Sequence, residues 1–81
     1  MKQLRKLSQN ERMTLKFENL LNEISLYTGL TQEEIADALG MSRTTLWLRK
    51  KSPQELCIQD LRRLCTLVDK DFSVFISDFV K

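Results

Sequence analysis

Between residues 42 and 53 the chain carries Arg43, Arg49, Lys50 and Lys51 and no acid at all. The chemistry open to such a block is electrostatic: cations gathered on one short segment neutralise an anionic polymer. A second basic block, Lys2, Arg5, Lys6, Arg12 and Lys16 against a lone Glu11, occupies residues 1–16. Between the two, residues 17–41 hold Glu18, Glu23, Glu33, Glu34 and Asp37 without a single Lys or Arg. The net charge of +2 therefore says less than its distribution. A polyanion partner requires the two basic blocks to converge on one face, which the fold must decide.

Other chemistries lack their parts. There is no His to act as a base for Ser42 or to complete a Cys/His metal site, and no Gly-rich phosphate loop or supported carboxylate pair. Cys57 and Cys65 are eight positions apart. On one helix that is about 12 Å of rise, too far for a disulfide. The expectation is two small apolar thiols in or near a core, in a reducing cytoplasm. No catalysis, cofactor, metal or small-molecule substrate is expected.

The elements that would position these residues follow from periodicity and caps. With 42% hydrophobic and 30% charged residues, two Gly and one Pro, the chain reads as one folded domain over 1–81 with few breakers. Residues 1–7 lack an apolar pattern and read as a flexible basic arm. Ser8-Gln9-Asn10-Glu11 is a capping box, followed by Met13, Phe17, Leu20, Leu21, Ile24 and Tyr27 at helical spacing. Gly29 is placed to stop this first helix, expected over about 9–27. Thr31-Gln32-Glu33-Glu34 opens a second helix, with Ile35, Ala36 and Leu39 inward, and Gly40 ends it. Ser42 caps a third, Arg43 to about Lys51.

Pro53 blocks its continuation. Ser52-Pro53-Gln54-Glu55 resembles a capping box, but the better apolar period starts later, so 52–57 is expected as a loop including at most one turn. A fourth helix follows over 58–68 with Leu61, Leu64, Cys65 and Val68 as its stripe and Ile58 and Leu67 alongside. Asp71 caps a last helix, 72–80, on which Phe72, Phe75, Ile76 and Phe79 align. A strand is the competing reading there, since Phe72, Val74 and Ile76 alternate. No apolar run suggests a signal peptide or a membrane span, so a soluble, cytoplasmic protein is expected.

The most specific segment runs from Thr31 to Lys51: short helix, tight turn with Gly, short helix. Close crossing of two such helices demands a small residue, met by Ala36, and a turn residue tolerant of positive φ, met by Gly40. Leu30 to Leu46, LTQEEIADALGMSRTTL, resembles the helix-turn-helix of the Cro/phage-repressor-like (XRE-type) transcriptional regulators. The continuation from Pro53 through Leu61-Arg62-Arg63-Leu64 to Phe75 is also similar to short phage and prophage members.

The resemblance implies an all-α, five-helix, lambda-repressor-like DNA-binding domain, dimeric and acting on an inverted-repeat operator in double-stranded DNA. It implies that helix 43–51 enters the major groove with Ser42, Arg43, Thr44 and Leu48 at base edges. Arg43 would grip guanine bidentately. Leu48 departs from the family, which often has a polar residue there. Thr31, Gln32, Arg49, Lys50 and Lys51 fall to phosphate.

Several residues carry more than one reading. Trp47 packs on the 52–57 loop or helix four, touches DNA, or meets a second copy. The 49–51 block is a solvated helix end or a phosphate contact, and the arm is a DNA contact or idle. The aromatic C-terminal stripe is wholly core, or its end, Phe79 and Val80, is a homodimer interface. The rival function is a protein-binding module on the same fold, an antitoxin or anti-repressor, for which Trp47 and Leu48 would suit a protein groove.

Overall fold

Four side-chain caps and three left-handed stops divide the chain into helices. The computed structural model describes residues 7–81. The basic arm expected at 1–7, except Leu7, lies outside them. Five α-helices follow one another: α1 Gln9–Thr28, α2 Gln32–Ala38, α3 Arg43–Lys51, α4 Ile58–Leu67 and α5 Phe72–Phe79. A 3-10 turn, Pro53–Glu55, separates α3 from α4. No strand occurs among the described residues, so the alternation of Phe72, Val74 and Ile76 is incidental to a helix.

The expected caps form. Ser8 accepts from the Glu11 amide while the Glu11 carboxylate takes the Ser8 amide, and Thr31 and Glu34 repeat the arrangement on α2. Ser42 accepts from Thr45 N–H, and Asp71 takes the amides of Ser73 and Val74. Gly29, at φ 78°, ends α1. The end of α2 is a Schellman motif: Met41 N–H bonds Ala36 C=O at 3.0 Å and Gly40 N–H bonds Asp37 C=O at 2.9 Å, with Gly40 at φ 72°. Such a stop satisfies carbonyls that a helix end leaves free. It also turns the chain so that Ser42 caps the next helix at once. The end of α4 repeats it with Asp69 at φ 55°, Lys70 N–H reaching Cys65 C=O at 2.9 Å.

Packing is organised around α1, which touches α2, α3, the 3-10 turn, α4 and α5. Its stripe Phe17, Leu20, Leu21 and Ile24 is buried together with Ile35, Ala36, Leu39, Leu46, Leu61, Leu64, Val68 and Phe79. Pro53 is buried as well, so the residue that prevents α3 from continuing also packs inward. No helix among the described residues is long and apolar enough to cross a membrane.

Some expectations are corrected. Tyr27 is 70% exposed; it lies in the last turn of α1, where the chain departs for α2. Ile58 is also exposed, because the buried stripe of α4 begins at Leu61. Residues 52–57 do form the expected loop with a single turn, a 3-10 turn over 53–55, and Ser52 makes no side-chain cap. The two thiols differ: Cys65 is buried and Cys57 exposed. Burial raises the Cys65 thiol pKa above its ordinary value, with Glu23 and Asp71 adding to the effect and Lys70 opposing it.

The two left-handed stops of α2 and α4 make opposite predictions. A Cβ built on Gly40 meets no atom within 4 Å, so Gly40→Ala should cost about 1–2 kcal/mol from backbone strain alone. Asp69→Gly removes the same strain and should stabilise by about 0.5–1 kcal/mol. Thermal unfolding should show Gly40→Ala melting several degrees lower and Asp69→Gly a few degrees higher than the parent chain.

Candidate functional site

A helix with one buried residue leaves nearly all its side chains to the surroundings, and α3 is such a helix. Only Leu46 is buried. Leu46 anchors α3 beside α2, α1 and the 3-10 turn. Arg43, Thr44, Trp47, Leu48 and Lys51 are exposed, while Thr45, Arg49 and Lys50 are half-buried. Residues four apart share a helix face, so Arg43, Trp47 and Lys51 form one outward row and Thr44 and Leu48 the next. Arg43, Thr44 and Trp47 line one shallow depression on this surface.

The Lys51 ammonium lies 4.6 Å from the centroid of the Trp47 ring, a cation–π pair worth about 0.5–1 kcal/mol at an exposed site. Trp47 itself is 52% exposed rather than buried against residues 52–57 or α4. Trp47 also lines a depression with Thr14 and Glu18 of α1 and with Lys50 and Lys51. Leu48, 47% exposed, adds to an apolar patch among cations.

Two hydroxyls expected at the site are engaged in caps. Ser42 Oγ accepts from Thr45 N–H at 3.0 Å and donates to Thr45 Oγ1 at 3.0 Å. Thr31 Oγ1 accepts from the Glu34 amide and donates to the Glu34 carboxylate. Both residues hold helix starts, and an outside ligand must compete with those bonds. Arg43 and Thr44 are left as the outward polar groups at the start of α3.

Gln32 and Lys50, eighteen positions apart, come together: Lys50 Nζ donates to Gln32 Oε1 at 3.2 Å. The bond ties the first turn of α2 to the last turn of α3 and leaves the Gln32 amide protons and two ammonium protons for another acceptor. The sequence shows no signal for this pairing, because it depends on the angle that the Gly40 turn imposes.

The N-terminal basic block is divided. Gln9, Arg12 and Lys16 follow one face of α1 and donate to the end of α5: Gln9 Nε2 to Val80 C=O at 2.7 Å, Arg12 Nη2 to Lys81 C=O at 3.1 Å, and Lys16 Nζ to Asp78 C=O. Lys16 also pairs with the Asp78 carboxylate at 3.5 Å. Cations at a helix C-terminus satisfy its free carbonyls and its negative dipole end. Arg12 and Lys16 are thus structural groups, and the two basic blocks do not merge through them. Their spacing of four was the available signal, and charge alone obscured it.

Phe79, expected beside Val80 at a dimer interface, is 2% exposed. It stacks on Phe75 with ring centroids 5.3 Å apart and belongs to the chain's own core. Val80 remains 51% exposed. No group of three or more potential metal ligands occurs among the described residues.

The protein has one Trp, so its fluorescence reports on this site alone. Emission should be that of a partly hydrated indole, readily quenched by acrylamide. Trp47→Ala should cost no more than about 1 kcal/mol in thermal unfolding, against about 3–5 kcal/mol for a fully buried Trp. No protein-family model, curated protein or solved structure matches the chain.

Proposed function

We propose that the chain is a sequence-specific regulator that binds double-stranded DNA, a transcriptional repressor of phage or prophage type. In this reading residues 31–51 are a helix-turn-helix on a lambda-repressor-like domain, and α3 enters the major groove. The observation that carries it is the character of α3: one buried anchor, no acid, and an outward face headed by Arg43 and Thr44. A major groove about 12 Å wide admits such a helix, and a helix without acids meets phosphate without repulsion from its own side chains.

Roles then follow from position. Arg43 heads the helix and reads a base, with guanine O6 and N7 as its geometric match. Thr44 and Leu48 lie on the adjacent row, where a methyl or leucine side chain contacts a thymine methyl. Gln32 and Lys50 form a joint phosphate clamp, the pair bond pre-orienting both groups. Lys51 and Arg49 add charge, and Lys51 holds the Trp47 ring against the helix. Ser42 and Thr31 act through the helix starts they cap, where the amides suit an anion. Two copies would occupy an inverted repeat with half-site centres about one helical turn apart. No catalytic step or cofactor enters this reading.

A protein-binding role on the same scaffold, as an antitoxin or anti-repressor, is favoured by the exposed Trp47 and Leu48. The basic rim around them argues for the polyanion.

The test is selection from random duplex DNA, followed by affinity across a salt series. An enriched inverted repeat is expected, with binding that weakens steeply as salt rises. Arg43→Ala should relax preference at one base position in each half-site, at a cost of about 1–3 kcal/mol. Lys50→Ala should weaken all sequences alike and reduce the salt slope by about one. If no motif emerges and binding stays weak at low salt, the DNA reading fails and the Trp47/Leu48 patch becomes a protein contact.

A further inference from the structure

The face of α1 turned away from the core carries Leu15, Asn19, Asn22 and Leu26 at spacings of four, three and four. That is the spacing of a coiled-coil seam. All four side chains are exposed, Leu15 by 47% and Leu26 by 89%, although the opposite stripe of the same helix is completely buried. Asn19, Asn22, Glu23, Leu26 and Tyr27 line a shallow, mostly apolar depression there.

The seam is symmetric about its midpoint, between residues 20 and 21. Turned end for end, it places Leu15 opposite Leu26 and Asn19 opposite Asn22. A two-fold interface requires such a self-complementary patch, in which residue i meets j and j meets i. The flanks agree with the same alignment. On one side Lys16 comes opposite Glu23, an attractive pair, and on the other Glu18 comes opposite Ser25, so no like charges oppose. Within the chain Lys16 is bound to Asp78 and Glu23 to Lys70 at 3.1 Å, so the alignment is set by the seam and the flanks only avoid opposing it. A parallel alignment would instead set Asn on Asn and Leu on Leu, with Lys16 beside Glu18 only.

We propose that the outer face of α1 is a homodimer interface, in which two copies pack Leu15–Asn19–Asn22–Leu26 antiparallel about a two-fold axis. The two leucines at each end exclude water, and the central Asn side chains hydrogen-bond across the seam and select this register at some cost in affinity. A single short helix pair buries less than the ~1,200 Å² of a standard stable complex, so the dimer is weak and concentration-dependent. The flank bearing Glu18 meets its own counterpart in an antiparallel pair, and Trp47, Lys50 and Lys51 adjoin that flank. Both copies of α3 therefore lie on the same side of the dimer, as two half-sites on one DNA face demand. Self-association itself does not rest on the DNA reading and is tested without DNA.

Sedimentation equilibrium of the full chain should show a monomer–dimer equilibrium, and Leu26→Glu should raise the dissociation constant at least tenfold while circular dichroism stays unchanged. Orientation is read by cross-linking in a Cys57→Ser background with a short bismaleimide. A chain with Leu15→Cys mixed with one carrying Leu26→Cys should give a linked heterodimer, well above either chain alone. A monomer at every concentration, a dimer indifferent to Leu26→Glu, or homotypic linkage through Leu15→Cys alone would each overturn the proposal. Failure here leaves the selection from random DNA untouched, and the converse also holds.

Discussion

The structure depends on the burial of one stripe of α1. Phe17, Leu20, Leu21 and Ile24 form the floor on which every other element rests. The later helices are short, the longest having 10 residues, and helices below about 12–15 residues are marginal in water by themselves. Their stability must come from docking. α2 presents Ile35 and Ala36, α3 presents Leu46, α4 presents Leu61, Leu64 and Cys65, and α5 presents Phe79. Each fully buried Leu, Ile or Phe side chain among them contributes about 1.5–3 kcal/mol.

This economy of anchors explains how α3 is held with its face free. Leu46 sets the depth of α3, the Ser42 cap sets where it starts, and Pro53 sets where it stops. The Schellman turn at Gly40 orients it relative to α2, and the Lys50–Gln32 bond joins the far end of α3 to the beginning of α2. Five constraints therefore position the helix, and only two of them, Leu46 and Pro53, use a buried side chain. The remaining side chains are at liberty to be Arg, Thr, Trp, Leu and Lys, the pattern on which the proposed DNA recognition rests.

Features governed by local physics were legible in the sequence. The caps at Ser8, Thr31, Ser42 and Asp71 and the turns at Gly29 and Gly40 depend on neighbours a few residues away, and the helix boundaries fall within one residue of those expected. The surroundings of individual side chains were less so. Tyr27 shares the spacing of the core stripe but lies where the stripe runs out, and Phe79, set apart for an interface by its place near the end of its stripe, stacks on Phe75 within the core. Arg12 and Lys16 read as a basic patch because charge is visible in sequence, whereas the helix end that they cap lies more than sixty residues away. Asp69, in a left-handed stop, escaped notice because the sequence signal for such a stop is glycine.

The cations on α3 and those on α1 thus serve different ends, one set facing outward and the other closing the chain on itself. On that division rests the proposal that a DNA surface lies on α3 and its junction with α2. The most direct test is an amide NMR titration of isotopically labelled protein with a short duplex at low salt. The account predicts that the perturbed amides cluster at residues 31–32 and 42–51, with the Trp47 indole N–H among them, while the Arg12 and Lys16 face stays unchanged. Perturbations centred on Arg12, Lys16 and the end of α5, or none at millimolar duplex, would contradict it.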